Sequence, residues 1–412
     1  MQKTTKNFKK ISAMAAVLSA LSLHAVSTEA ASSKAGGVEF SGNVDIVTGW
    51  QHDDGSTVDP TGSCAYGIGG LGCNSADDAG SGSGQLGDFR GLAAPNRDTF
   101  NFYLDQVEID IQKTFGENIR LRADLDFGRY LSGSGRTTQA GSNFNLEQGY
   151  VTANIPIGNG MEFLIGRFNA PIGLESVDRP YNTALSFSNV YRYLRPHTFT
   201  GAKIYYPFND NFDWSLYVTN NLSDVFGGAV ATDSAIPSYG TRFGISWGGE
   251  GQESTVGLSY AGGPEQFGHN SHLTNIIDLD FNIHFGQAFR LGGEFLYRQD
   301  NIIPQNFPPG TPNSKGLGAF LLFDFVPSDA WNIYFRYGYL HDINPTAAYT
   351  GLDQQIHDFS LGGGYQITDG AQVKMEYRLD LHQYSHAVAD SFTAGDTIAL
   401  QNALAVEFAY NF

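Results

Sequence analysis

The chain has 412 residues, including 50 Gly, 30 Phe and 21 Tyr but only 2 Cys, and its formal net charge is −18. Two cysteines exclude a disulfide-rich scaffold and a four-thiolate zinc site, and 24 basic against 42 acidic residues argue against nucleic-acid binding. The aromatic fraction of 13% argues against disorder, and the charged fraction of 16% is low for a soluble protein. The composition therefore predicts a folded chain rich in β structure.

Residues 1–30 have the features of a secretory signal peptide. Four lysines precede the short apolar stretch Ile11–Leu23, and small side chains lie just before Ala31. This stretch is shorter than the roughly 20 residues of a spanning helix, which argues against the alternative of an N-terminal membrane anchor. Removing the four lysines and one glutamate of this segment leaves 20 basic and 41 acidic residues, a net charge of −21. We expect 31–37 to be a short periplasmic segment and 38–412 to be the folded domain.

The side chains of the folded domain alternate with a period of two, which predicts strands with one apolar and one polar face. The alternation is clearest in 119–127, where apolar residues at odd positions alternate with Arg and Asp at even positions. In the second strand Phe102 is out of phase with Val107, so a bulge near Asp105 is expected. Sixteen strands are predicted, at 38–52, 99–114, 119–131, 144–155, 161–170, 199–207, 212–222, 238–247, 254–261, 273–285, 289–299, 315–326, 331–341, 356–367, 371–382 and 398–412.

The connections between the predicted strands alternate between short and long. Seven are tight turns, whereas the other eight span roughly 11 to 46 residues and are rich in Gly, Ser, Asp, Pro and Asn. Short turns on one side and long loops on the other are typical of outer-membrane barrels, and a secreted β-sandwich has no reason to sort its loops in this way. Aromatic residues that flank the short turns predict an interfacial girdle, with ordinary core aromatics as the alternative; they are Phe115, Phe208, Phe212, Trp247, Phe285, Phe289, Phe325 and Trp331.

The predicted fold class is all-β, a transmembrane antiparallel β-barrel of about 16 strands with short periplasmic turns and long extracellular loops. The expected location is the outer membrane of a Gram-negative bacterium. A barrel of this size turns its polar face to a water-filled lumen. The predicted lumen-facing residues are Arg120, Arg122, Asp124, Asp126, Asp278, Asp280, His284, Arg290, Glu294, Arg298, Arg336, Lys374, Glu376, Arg378 and Asp380. Asp278, Asp280 and His284 could bind a cation, but a lumenal polar ladder is the favoured interpretation and no metal site is assigned.

Several segments of the chain resemble those of a known family. Asn145–Val151 reads NLEQGYV, and Phe163–Glu175 reads FLIGRFNAPIGLE. Together with Thr200–Ile204 and the final Phe412, these segments resemble the OmpL-like β-barrel porin family and, more distantly, the phosphate-selective porins. The resemblance implies an outer-membrane diffusion channel. Phe412 also resembles the C-terminal signal that the β-barrel assembly machinery recognises.

The loop at 171–198 is expected, by analogy with general porins, to fold into the barrel and narrow it. Between residues 167 and 203 the chain has five basic and two acidic residues, a local charge of +3. Basic side chains in a narrow pore favour anions. The predicted constriction residues are Arg167, Arg179, Arg192, Arg195, Lys203, Glu175 and Asp178. The alternative is that the arginines pair with Glu175, Asp178 and carboxylates of the wall and so hold the loop in place.

The longest loop, 53–98, contains Cys64 and Cys73. In an exported chain these cysteines are expected to form a disulfide that clips the loop, with free thiols as the alternative. The loop is also acidic. A solvated acidic loop is the favoured interpretation, and calcium-bridged contact with surface lipid is the alternative.

The sequence predicts a passive porin for small polar or anionic solutes, without a cofactor and without enzymatic activity. The motifs GxSxG, HExxH, CxxC and the P-loop are absent from the sequence. The alternatives are a non-conducting barrel that acts as an adhesin or structural surface protein and, third, a soluble secreted β protein. The expected partners are outer-membrane lipid and lipopolysaccharide, the β-barrel assembly machinery and the solutes, with no nucleic acid, and a homo-oligomer is left open.

Overall fold

The computed structural model describes residues 33–35, 37–53, 99–127, 144–222, 236–249, 251–265, 273–301, 314–343, 354–384 and 398–412. These residues form one antiparallel sheet of seventeen strands. The strands are β1 (Ser33–Ala35), β2 (Val38–Asp53), β3 (Thr99–Phe115), β4 (Ile119–Phe127), β5 (Phe144–Ile155), β6 (Met161–Asn169), β7 (Thr198–Pro207), β8 (Phe212–Thr219), β9 (Ser238–Trp247), β10 (Ser254–Pro264), β11 (Leu273–Phe285), β12 (Phe289–Asp300), β13 (Ser314–Ser328), β14 (Trp331–Ile343), β15 (Gln354–Thr368), β16 (Ala371–Tyr384) and β17 (Ile398–Asn411). Within this part of the chain, no helix is long and apolar enough to cross a membrane.

The sheet closes on itself because β17 pairs with both β16 and β2. Leu404 of β17 lies across from Trp50 of β2, and β2 to β17 form a closed barrel of 16 strands. The predicted fold class and number of barrel strands are therefore confirmed. The short β1 is an addition to the prediction, and it pairs with the beginning of β2, where Ser33 lies across from Phe40.

The two faces of the barrel wall differ as the alternation predicts. In β16, Met375 and Tyr377 are exposed, whereas Glu376 and Arg378 are fully buried. The eight aromatic residues that flank the short turns are all exposed, at 38% to 59% of their surface. Because apolar side chains cover the outside and charged ones the inside, the wall suits a barrel surrounded by lipid.

The predicted bulge in the second strand is confirmed. Ile46 of β2 lies across from Leu104 of β3, and the preceding Asp45 lies across from Gln106. Asp105 falls between these two pairs, so it is the extra residue of the bulge. Because of this extra residue, the side chains of Phe102 and Val107 both point to the outer face of the barrel.

The predicted polar inner face holds only in part, because β11 to β15 carry apolar side chains on that face. Leu296 lies across from Gly318, Gly318 from Leu340, and Leu340 from Ile356, so these residues form one row across four strands. Leu296, Leu340 and Ile356 are fully buried. They belong to a core that also includes Leu194 of the connection between β6 and β7.

Candidate functional site

The connection between β6 and β7, residues 170–197 and called the β6–β7 loop, packs against the polar face of the wall. It contains a short 3₁₀ turn, Arg179–Tyr181, and a short π-helical turn, Val190–Leu194. Many of its side chains are buried, including Leu185 and Phe187. The loop therefore forms part of the interior of the barrel, and its contacts determine where an opening could lie.

The loop first reaches β11 and β12. The backbone N–H of Gly173 donates to Oδ2 of Asp278 (3.0 Å), and that of Leu174 donates to Oε2 of Glu294 (2.8 Å). Gly173 has a φ of +82°, and a Cβ at this position would lie 2.7 Å from Oε1 of Glu294. Both the backbone conformation and the close approach therefore require glycine here.

The loop then reaches β2 and β3 through Arg179. Nε of this arginine lies 2.8 Å from Oδ2 of Asp105 and 3.6 Å from Oδ2 of Asp45. Beside it, Nε2 of Gln106 donates to Oδ1 of Asp178 (3.2 Å). Arg179 and both of its carboxylate partners are buried, so these contacts anchor the loop instead of presenting a free charge to solvent.

The loop returns across β14 and β16 on a group of charged side chains. The backbone N–H of Leu185 donates to Oε2 of Glu376 (2.9 Å) and to the hydroxyl oxygen of Tyr334 (3.0 Å). The Tyr334 hydroxyl donates to the same carboxylate (2.7 Å), and the Ser186 hydroxyl donates to its other oxygen. Nη1 of Arg378 donates to Oγ of Ser186 (3.0 Å). This part of the loop is thus held by backbone and side-chain contacts together.

Glu175 joins the two arms of the loop to the wall. It accepts hydrogen bonds from the backbone N–H of Ser188 (3.0 Å), the Ser188 hydroxyl (2.6 Å) and Nη1 of Arg336 (3.1 Å). Its own carbonyl oxygen accepts from Arg195, whose guanidinium lies 5.1 Å from the ring centroid of Tyr191. Burial raises the pKa of the Glu175 carboxyl, although Arg336 and Ser188 act in the opposite direction.

Arg167, one of the predicted constriction residues, lies on the outer face of β6. Arg167 lies across from Gly149 and shares a strand face with Ile165, which is exposed on the outside of the barrel. Its guanidinium donates to the carbonyl oxygen of Glu147 (3.0 Å) and to Oγ1 of Thr198 (2.8 Å). Because side chains alternate across a strand, this residue faces away from the lumen.

The other predicted basic residues of the constriction are distributed differently. Arg179 and Arg195 are buried in the contacts described above, which favours the alternative that these arginines hold the loop in place. Arg192 and Lys203 are half-buried, and each lies over an aromatic ring, at 4.9 Å and 5.4 Å from the ring centroid. The structure therefore does not bring the five bases together into one ring.

The predicted lumen-facing residues all lie on the strand face opposite the exposed apolar side chains. Arg122 contacts Asp124, another residue of this set, at 2.7 Å, and Asp110 of the neighbouring β3 at 3.3 Å. The inner wall is thus a network of ion pairs. Further pairs are Arg120–Glu162, Arg242–Asp280, Arg290–Asp324, Arg298–Asp300 and Arg378–Asp380.

Several charged residues of this network were missed by the sequence analysis. Asp105 and Asp358 contact arginines that hold the loop, and Glu407 lies 3.4 Å from Nζ of Lys374. Asp358 and Glu407 are each the only acid of their strand, whereas Asp105 shares β3 with Glu108 and Asp110. An acid between two outward apolar residues, as Glu407 is between Val406 and Phe408, is the signal that could have identified them.

Two further predictions lie outside the described residues. These are the signal peptide at 1–30 and the disulfide between Cys64 and Cys73 in the first long loop. Both stay predictions. Phe412 is described, and its backbone N–H and carbonyl oxygen both pair with Gly42 of β2, each at 3.0 Å.

A closed 16-stranded barrel with an apolar outside, a charged inside and a loop packed within it is the architecture of outer-membrane porins. The family model described as "Putative beta-barrel porin-2, OmpL-like" matches residues 77–412, and the chain belongs to this family. It is accordingly a protein of the Gram-negative outer membrane, and its family and fold are those of a channel rather than an enzyme. A comparison with the curated proteins finds no match.

Solved structures show the same fold at low sequence identity. The outer-membrane channel DcaP of Acinetobacter baumannii has a TM-score of 0.58 at 9% identity, covering 91% of this chain and 97% of that one. The anion-selective porin from Comamonas acidovorans has a TM-score of 0.54 at 12% identity, covering 91% and 99%. OmpT of Vibrio cholerae, in its trimer form, has a TM-score of 0.51 at 12% identity, covering 92% and 100%.

Proposed function

We propose that the protein is a porin for the passive diffusion of small hydrophilic solutes, with a preference for anions. The β6–β7 loop contacts β11, β12, β14, β16, β2 and β3. The opening is proposed to lie between this loop and the wall segment β4 to β9. Membership of the porin family supports the channel itself, and the charges of that wall segment support the preference for anions.

The unequal exposure of the two partners in the wall ion pairs supports the proposed anion preference. The side chains of Arg120, Arg122 and Arg242 are 22%, 21% and 20% exposed. Their partners Glu162, Asp110 and Asp280 are 14%, 13% and 3% exposed. In each pair the guanidinium therefore contacts the lumenal water more than the carboxylate does. Low-dielectric walls strengthen the field of such charges inside a channel.

The basic surface of this proposal differs from the one that the sequence predicts. Its arginines lie on β4 and β9, whereas the sequence analysis placed the basic group on the loop and its flanking strands. The loop arginines Arg179 and Arg195 are buried against carboxylates and carbonyl oxygens, so their field is largely compensated. The wall arginines are the bases that a passing solute would meet.

Planar-bilayer recording of the refolded mature protein tests the proposal. In a KCl gradient, the reversal potential of the wild type should indicate a preference for chloride. The double variant Arg120→Gln, Arg242→Gln should shift the reversal potential towards that of a cation-preferring channel. The matched control is Lys113→Gln, which removes one basic charge from the face that includes exposed Leu121.

Each outcome of the recording is informative. A folded protein without conductance would overturn the channel and would favour the second candidate, a non-conducting barrel that presents its first long loop as an adhesin. The dense packing of the β6–β7 loop on the wall is the observation that favours this candidate. A conducting protein whose reversal potential is unchanged in the double variant would overturn the assignment of the wall arginines.

A homo-oligomer is part of the same proposal. The trimer form of the Vibrio cholerae OmpT structure supports it, because that protein shares this fold. Sedimentation in a mild detergent should give the mass of more than one chain. Sedimentation as a monomer at all concentrations would overturn this part of the proposal and leave the channel unaffected.

A further inference from the structure

The outer face of strands β11 to β16 carries basic side chains and no carboxylate. In these six strands the odd-numbered residues face outward, as the exposed side chains of Phe323 and Leu361 show. Every acidic residue within the six strands has an even number and therefore faces inward. Lys315, His341 and His357 are the odd-numbered basic residues of these strands, so all three are on the outer face.

The three basic residues lie on neighbouring strands and next to one another. Lys315 of β13 lies across from Ile343 of β14, which is two positions beyond His341. His341 in turn lies across from Gln355 of β15, which is two positions before His357. Each basic residue is thus the diagonal neighbour of the next on the same face, at roughly 7–8 Å. Together they form one line across β13, β14 and β15, called the basic line.

The basic line lies at the level where the outer leaflet of the membrane has its headgroups. It occupies the strand ends that join the long connections 302–313 and 344–353, and long connections of such barrels are extracellular. Tyr337 and Tyr339 lie beside it on the outer face, and the Tyr339 ring centroid is 5.1 Å from that of His357. Tyrosine side chains on a lipid-facing wall mark the interface between hydrocarbon and headgroups.

The side chains of the basic line present hydrogen-bond donors to that interface. Lys315, His341 and His357 are all half-buried, so each keeps part of its surface open to the membrane side. The Tyr337 hydroxyl lies 2.9 Å from Nδ1 of His357 and thereby orients the ring. When this hydroxyl donates to Nδ1, the ring proton is on Nε2, which can donate to a ligand. Ammonium and imidazole N–H groups are donors that phosphate oxygens accept in short, charge-assisted hydrogen bonds.

The corresponding strand ends on another side of the barrel have a different character. Phe100 and Phe102 at the beginning of β3 and Phe127 at the end of β4 are exposed on the outer face, and they adjoin long connections as well. These positions offer apolar contact and no donor. The basic line is therefore a local feature of one sector and not a general property of the barrel rim.

We propose that the basic line is a docking surface for the phosphate groups of lipopolysaccharide, the phosphorylated glycolipid of the outer leaflet. Charge complementarity supports this occupant, because the sector presents basic groups and no acid at the depth of an anionic headgroup. Basic residues at an anionic membrane surface each add to the attraction. The outer-membrane location of the family places this lipid beside the barrel. The docking surface does not require the protein to conduct, so its test is independent of the proposed function.

Native mass spectrometry of the refolded mature protein in detergent tests the docking surface, with diphosphorylated lipid A as the probe. We expect a single strongly retained lipid per chain and weaker retention of the dephosphorylated lipid. Lys315→Gln should weaken the apparent affinity about fivefold, the contribution expected of one basic residue near an anionic surface. The double variant His341→Gln, His357→Gln should weaken it at least about twofold, and it is an independent test if Lys315→Gln does not refold.

The matched control is Lys113→Gln. Lys113 is also a half-buried lysine of the outer face, but it lies beside the Phe115 ring at the end of β3 that joins a short turn. Unchanged lipid retention in this control, with weaker retention in the other variants, supports the docking surface. Equal retention of phosphorylated and dephosphorylated lipid, or an equal loss in Lys113→Gln, would overturn it. Displacement of the lipid by millimolar inorganic phosphate would assign the surface to free anions and overturn the lipid as its occupant.

Discussion

Nη1 of Arg336 on β14 lies 3.1 Å from Oε1 of Glu175 in the β6–β7 loop. Both side chains are buried, and Ser188 donates two further hydrogen bonds to the same carboxylate. Charge-assisted hydrogen bonds in a buried setting are strong and directional. This contact therefore determines where the loop lies relative to the wall.

Removing the charge of Glu175 should loosen the loop. We expect Glu175→Gln to lower the free energy of unfolding by about 1–3 kcal/mol, because a charge-assisted contact to buried Arg336 is lost. Arg336 keeps a second carboxylate, Asp358, at 3.6 Å, which limits the loss. Denaturant titration of the refolded protein measures the change, and single-channel recording should show a noisier open level.

The control for that variant is Glu162→Gln, whose partner Arg120 is partly exposed. Glu162→Gln should lower the free energy of unfolding by at most about 1 kcal/mol, since an exposed ion pair contributes little. Equal destabilisation by the two variants would contradict a special role for the buried pair.

Gly318 is where the wall makes room for the loop. A Cβ added there would lie 2.9 Å from side-chain carbons of both Val190 and Leu194. Gly318→Val should therefore displace the π-helical turn, cost about 1–3 kcal/mol through overpacking and change the unitary conductance. Gly249→Ala is the control, because nothing lies within 4 Å of a Cβ at that turn position. Wild-type conductance and stability in Gly318→Val would contradict the packing.

Glu265, just after β10, should give the barrel a pH-dependent stability. Burial raises its pKa from 4.5 to about 7, although hydrogen bonds from Ser238 and the Leu222 N–H oppose the shift. Because the folded state favours the protonated acid, its stabilising contribution is complete below pH 4.5 and is lost as pH rises through about 7. The loss is on the order of 3 kcal/mol.

The pH dependence is measured by denaturant titrations between about pH 4 and 8. Glu265→Gln should remove the loss and be more stable than the wild type at neutral pH. Glu253→Gln, at the opposite end of the same strand β10, should keep the wild-type profile. An unchanged profile in Glu265→Gln would show that another group is responsible.

A substitution of Phe412 distinguishes a role in the folded structure from a role in assembly into the membrane. Its side chain is not needed for its two backbone hydrogen bonds with Gly42, which extend the β17–β2 pairing by one residue. Phe412→Ala should therefore refold in detergent like the wild type but reach the outer membrane at a lower level in cells. Phe408→Ala, an exposed aromatic of the same strand, is the control for lost lipid contact. Failure to refold in vitro would assign Phe412 a structural role instead.

The faces of individual strands could be predicted from the sequence because successive side chains of a strand point to alternate faces. Glu376 and Arg378 are inward for the same reason that Met375 and Tyr377 are outward. Arg167 shows the limit of a charge count along the sequence. Arg167 lies two positions from Ile165, so the alternation along the strand places it on the outside. Its closeness in sequence to the basic loop suggested a lumenal role instead.

The sequence by itself determined the strands, their two faces, the alternation of short turns and long loops and the bulge at Asp105, because each depends on neighbours in the chain. The tertiary structure decided which distant side chains meet. Glu175 and Arg336 are 161 positions apart, and Arg179 meets Asp105 only because the barrel closes in one register. Whether an arginine lies in the lumen or is buried in an ion pair depends on that closure. A local pattern does not contain this information.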